Sequence, residues 1–246
     1  MKTAVIMSGH FRTLKKSLDS FKDMLPDDTE YYAYLLNKAN QVEYAKNKDI
    51  GSDFESVLSE IQKEIKLQYS IIEDEAIDMS QYTTLVDRFQ HFSIEGKSKK
   101  QITEKWIRQL NDYKKSFEWM DSFNQKYDMI YRIRPDLVMK RTKFSSFDFD
   151  PNHFTCFYQN RHPHQINDKF FCGNYDYMKR FMTGMVGALN DKNIDSVSPK
   201  SGLNVEEYLY AYLNHMQFDL NVVDRDDLLI RKMMDGDEVC AGFERN

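Results

Sequence analysis

Within its first 37 residues the chain reads strand, helix, strand. "KTAVIMS" (2–8) is a short apolar run that stops at Ser8-Gly9, the pattern of a strand buried on both faces. "TLKKSLDSFKDML" (13–25) repeats Leu14, Leu18, Phe21 and Leu25 at helical spacing, with Pro26 as a stop just beyond. "EYYAYLLN" (30–37) returns to an aromatic, strand-forming composition. This opening constrains the whole fold. Two neighbouring strands joined through a helix run parallel, and the crossover helix has to cover one face of their sheet.

The remainder continues in the same alphabet. "FESVLSEIQKEIKLQY" (54–69) predicts a helix, with Val57, Leu58, Ile61, Ile65 and Leu67 near one face. "MSQYTTLVDRFQHF" (79–92) has no clear period, whereas 100–127 predicts a long amphipathic helix free of Gly and Pro. "YDMIYRIRPDLVMK" (127–140) predicts a strand whose end is marked by Pro135-Asp136. Strands over 153–160 and 168–174 follow, then a helix over 175–189. "SPKSG" (198–202) reads as a loop, 204–216 as a helix with Asn204 as its N-cap, and 218–224 as a last strand. From about 225 the chain is polar and charged. Hydrophobic residues make up 41% of the 246 positions, enough for a real core, and no repeat or linker divides them. The expectation is one α/β domain over 1–246.

Several function classes are disfavoured. A net charge of −5 gives no general pull toward nucleic acid or anionic membranes. The basic stretch 97–115 spaces its charges as a solvated helix face would. Cys156, Cys172 and Cys240 are odd in number and lack CxxC spacing, which argues against a disulfide framework or structural zinc. "AVIM" is too short for a signal peptide, and no stretch approaches the ~18 apolar residues of a membrane span. The expectation is a cytoplasmic protein with no nucleic-acid partner and no transmembrane segment.

Four groups of residues could carry chemistry. Ser8-Gly9-His10-x-Arg12 follows the first strand. It is either an ordinary strand–helix turn or an anion pocket, in which Gly9 lets backbone approach a ligand and Arg12 grips phosphate oxygens. It matches neither the Walker loop nor the dinucleotide fingerprint. Arg132, Arg134 and Asp136 share one face if the strand continues. They form either an internal ion pair or a diphosphate site in which Asp136 holds a divalent cation. Asp168 is either a turn residue ahead of an apolar strand or an acceptor for ligand hydroxyls. Glu206 and Glu207 either complement a helix dipole or supply a general base. His162 and His164 read as loop residues, and Ser8 lacks the elbow sequence of a hydrolase nucleophile.

Taken in order, these stretches resemble a group of bacterial and viral glycosyltransferase-like proteins with the GT-A fold. The matching positions are Ser8, Gly9 and Arg12; Tyr127, Asp128, Arg132, Arg134, Pro135 and Asp136; Asn167, Asp168, Phe170 and Gly173; and Glu206, Leu209 and Leu213. The resemblance implies a mostly parallel, Rossmann-like central sheet flanked by helices. It also implies transfer of a sugar from a UDP- or GDP-linked donor to a hydroxyl of a glycan, polysaccharide or lipid-linked acceptor. Ser8, Gly9, His10, Arg12, Arg132 and Arg134 would bind the nucleotide and diphosphate. Asp136 corresponds to the metal-binding end of a DXD motif for Mn²⁺ or Mg²⁺, although Arg134 replaces its first Asp. Glu206 or Glu207 would be the base, with Asp168 as the competing candidate. A non-catalytic protein binding a nucleotide or sugar phosphate is the alternative.

Overall fold

The computed structural model describes residues 1–10, 14–22, 25–36, 54–72, 77–82, 98–135, 137–139, 149–158, 164–191, 193–194, 205–223, 229–232 and 238–240. In chain order its elements are β1 (Thr3–His10), α1 (Leu14–Phe21), β2 (Glu30–Leu36), α2 (Phe54–Glu64), β3 (Lys66–Ile72), a 3₁₀ turn (Met79–Tyr82) and α3 (Lys99–Asp121). Then come β4 (Met129–Ile133), β5 (Leu137–Met139), β6 (Phe154–Tyr158), β7 (Ile166–Gly173), α4 (Tyr175–Ala188), α5 (Val205–His215), β8 (Leu220–Val223), β9 (Leu229–Lys232) and β10 (Glu238–Cys240).

Seven strands form one sheet in the order β3-β2-β1-β4-β7-β6-β8. β3, β2, β1 and β4 are mutually parallel, β7 is antiparallel to both β4 and β6, and β6 is parallel to β8. Only β7 therefore runs against the rest, and the expected mostly parallel α/β architecture is the one observed. The chain leaves β1 toward β2 and β3 on one side, then returns to β4 on the other. That reversal makes the carboxyl ends of β1 and β4 a topological switch point, the place where open α/β sheets bind ligands.

Helices cover both faces. Ala4, Ile6, Ile130 and Phe171 pack with Tyr113 and Phe117 of α3, Phe181 of α4 and Leu209 of α5. Val5, Met7, Ile133 and Phe170 pack with Leu14 and Leu18 of α1 and Leu58 and Ile61 of α2. Burial on both faces is why the β1 run is continuously apolar rather than alternating. The basic stretch behaves as its spacing predicts. α3 turns Ile107, Leu110, Tyr113 and Phe117 inward, while Lys114 stays exposed and Arg108 pairs with Glu104 at 2.8 Å. Ser98 starts this helix with a capping box closed by Gln101.

Three expectations are corrected. The helix predicted over 54–69 ends at Glu64, and 66–72 is strand β3. Leu67 fits the helical period, but pairing Lys66–Ile72 against Glu30–Leu36 satisfies the edge of β2 instead. The stretch 127–140 is two strands, β4 and β5, in different sheets, because Pro135 cannot donate to the ladder. Asp168 lies inside β7 rather than ahead of it. The polar tail contributes β9 and β10, which pair antiparallel to each other and, through β9, to β5. Ser17 of α1 donates a hydrogen bond to the Leu137 carbonyl and ties this small sheet to the first crossover. The Asn204 cap lies outside the described residues.

Phe181 is fully buried, with ring centroids 4.6 Å from Phe154 and 4.8 Å from Phe171. Phe181→Ala is expected to cost about 3–5 kcal/mol through the cavity it leaves. The measurement is the urea unfolding midpoint, which should fall with the slope unchanged.

Candidate active site

β1 ends at the switch point with Ser8 buried and Gly9 at φ +127°, a conformation that disfavours any residue with a side chain. A Cβ on Gly9 would lie 3.7 Å from Pro135 Cδ, so the end of β1 lies against the turn that follows β4. The register explains this: Met7 pairs with Ile133, one residue before Ser8 and Arg134 respectively.

Arg132 is 2% exposed. Its Nε donates to Ser8 Oγ at 3.3 Å, its Nη2 to the Ser8 carbonyl at 3.4 Å and its Nη1 to the Asp168 carbonyl. The guanidinium carbon sits 4.1 Å from the Tyr113 ring centroid. Buried charge is tolerated here because oxygens and a π face replace its water.

Asp168 lies where β7 departs from regular pairing with β6, between the partners of Cys156 and Tyr158. The irregularity frees backbone and side chain for other contacts. Its Oδ2 accepts from Gln109 Nε2 at 2.8 Å and pairs with Arg134 Nη1 at 3.4 Å. Burial raises the Asp168 pKa, but Arg134, then Lys169, Arg132 and the Gln109 hydrogen bond, outweigh it and hold the carboxyl at about 2. Asp168 is therefore ionised at any ordinary pH.

Glu206 behaves oppositely. In α5 it precedes buried Leu209 and Leu213 by three and seven residues, so it shares their inward stripe. It is partly buried, and its carboxyl is held by its own backbone amide and by the charges of Lys169 and Arg134. Burial, then the negative charge of Asp168, push it up to about 7. Glu207 is buried and accepts from Gln165 Nε2 at 3.3 Å. Two acids with pKa values driven apart, beside Arg134 and Lys169, can divide proton transfer from fixed-charge binding.

The structure thus brings together Ser8, Gly9, Arg132, Arg134, Asp168 and Glu206. The side chains of His10, Arg12 and Asp136 lie outside the described residues. Tyr127 and Asp128 sit elsewhere, at the amino edge of β4. There Tyr127 donates to Glu30 at 2.6 Å, and Asp128 accepts from the Lys2 amide at 2.6 Å. That half of the matched "YDMIYRIRPD" stretch clamps strand ends. Cys156 and Cys172 are free and buried, and His164 is exposed. Among the described residues no three His, Cys, Asp or Glu side chains could hold a metal ion, and no helix is long and apolar enough to cross a membrane.

No family model matches the chain, and no curated protein matches it. The site is therefore read from its own geometry.

Three members escaped the sequence reading. Gln109 and Tyr113, four residues apart on α3, both reach Asp168. The signal available was a polar pair on a helix face that also carries Leu110 and Phe117. Lys169 is 7% exposed, and a lysine leading the apolar run "FFC" was its signal.

The pKa values predict opposite pH effects on stability. Asp168 is depressed below its unfolded value of about 3.9, so its contribution is present above that pH and lost as pH falls toward 2. Glu206 is raised above its unfolded value of about 4.3, so its contribution is present below that pH and lost as pH rises through about 7. Glu206→Gln, always neutral, should stabilise the protein at pH 8 by on the order of 1–3 kcal/mol and change little at pH 4.5. Urea midpoints at the two pH values check this.

Proposed function

We propose that the chain is a nucleotide-sugar-dependent glycosyltransferase of GT-A-like architecture. The observation that carries the reading is the contrast between Glu206, at about 7, and Asp168, at about 2, beside Arg134 at the carboxyl edge of the β1–β4 pair. Glycosyl transfer needs a base for the acceptor hydroxyl and fixed positive charge for the departing diphosphate. In this reading the Glu206 carboxylate takes the acceptor proton. The acceptor oxygen bonds to the sugar C1, the C1–O bond to phosphate breaks, and the nucleoside diphosphate leaves with the electron pair. Arg134 and Arg12 meet the charge that develops on it. Arg132, consumed by Ser8, Asp168 and Tyr113, positions the end of β1 instead of touching phosphate. Asp168 is too acidic to serve as base. Glu207 supports the start of α5 through Gln165.

The described residues do not present the donor set of a divalent cation. Asp168, the acid beside the arginines, is already flanked by three cationic groups, and Asp136 lies outside the described residues.

The test is a thermal-shift panel of UDP, GDP and their sugar conjugates, with and without Mn²⁺, followed by turnover assays. Nucleoside diphosphates should raise Tm. Glu206→Gln should lower turnover about 10²–10⁴-fold, leave the nucleotide shift intact, and remove the rise of kcat/KM through pH 7. A panel with no shift sinks the reading, and binding without turnover on any acceptor points to a binding protein instead.

A further inference from the structure

We infer that Gln109 and Asp168 together form a recognition site for a vicinal diol. The hydrogen-bond logic comes from α3. Tyr113 Oη has one proton and donates it to the Asp168 carbonyl at 3.0 Å. Toward Gln109, 2.7 Å away, it can only accept, so the Gln109 Nε2 group must donate there. The second Nε2 hydrogen goes to Asp168 Oδ2 at 2.8 Å, since an ionised carboxylate only accepts. The amide orientation is thereby set by its partners, and Gln109 Oε1 is left as an unused acceptor.

Asp168 repeats the pattern. Gln109 and Arg134 both bind Oδ2. Oδ1 has no hydrogen-bond partner among the described residues, although Asp168 is only 6% exposed. Neither Asp168 Oδ1 nor Gln109 Oε1 is sealed from solvent; the buried, partnerless side-chain atoms among the described residues are Thr3 Oγ1, Thr29 Oγ1 and Asn167 Nδ2. Two acceptors on side chains joined through one hydrogen bond call for a ligand with two hydrogen-bond donors. Arg132, Arg134 and Lys169 all act on Asp168 and oppose an ammonium or guanidinium ligand. Neutral hydroxyls carry no such penalty. A diol could come from the ribose of a nucleotide or from a sugar ring; the second assignment rests on the transferase reading, while the diol site does not.

The test is saturation-transfer NMR on the full chain. The probes are methyl glycosides and their deoxy analogues, UDP and its 2′- and 3′-deoxy forms, and UDP-glucose with its deoxy-sugar analogues. Removing one hydroxyl of the recognised pair should weaken binding at least about 10-fold. Asp168→Asn, with an amide nitrogen in the Oδ1 position, should lose that discrimination. Gln109→Met serves as the second variant if circular dichroism shows Asp168→Asn unfolded. Sensitivity confined to the nucleotide's 2′ or 3′ position assigns the ribose; sensitivity confined to the sugar ring assigns the sugar. Discrimination among methyl glycosides with no response to any nucleoside diphosphate keeps the diol site and removes the transferase reading. Equal binding of hydroxylated and deoxy probes, or no binding of any probe, overturns the diol site.

Discussion

The Arg132 guanidinium joins the parts of this site. It links the end of β1, the carbonyl of Asp168 on β7 and the Tyr113 ring on α3. A buried cation lacking these contacts would be expensive, so the three elements must meet in one arrangement for the charge to be tolerated. α3 is thereby fixed against the sheet near the switch point, where Gly9 at the end of β1 lies against Pro135 after β4. Arg132 organises the edge without facing outward. Arg134, partly exposed and one residue past the strand, lies at this edge beside Asp168.

The electrostatics of the acids follow from this arrangement. Arg132, Arg134 and Lys169 hold Asp168 ionised, and its negative charge, with burial, then pushes Glu206 toward neutrality. The backbone amide of Glu206 itself, Lys169 and Arg134 oppose that push without reversing it. One carboxylate becomes a permanent acceptor and the other a group that exchanges its proton near neutral pH. An acid raised in this way costs stability at high pH, the kind of local cost that functional sites carry.

Much of this was legible in the chain. The opening strand-helix-strand unit, the apolar run of β1 and the uninterrupted period of α3 follow from short-range rules, and the structure keeps them. The grouping of Ser8, Gly9, Arg132 and Arg134 was expected too, because the resemblance assigns them to one diphosphate site. β3 was misread because Leu67 satisfies both a helical and a strand period. Asp168 was placed before its strand because a carboxylate inside an apolar run looks unfavourable until its partners are known. Gln109 was invisible because nothing local distinguishes a glutamine that reaches a carboxylate 59 positions away from one facing water.

The sequence by itself determined the fold class, the stop at Pro135 and the inward stripe that carries Glu206, Leu209 and Leu213. Each depends on residue type and spacing within a few turns or one strand. Only the tertiary structure decided that Arg132 is a buried tie, that Tyr127 and Asp128 clamp the opposite edge, and that Asp168 and Glu206 titrate in opposite directions. Those properties arise from charges and hydrogen bonds between elements distant in the chain, whose strength depends on burial that no local pattern encodes.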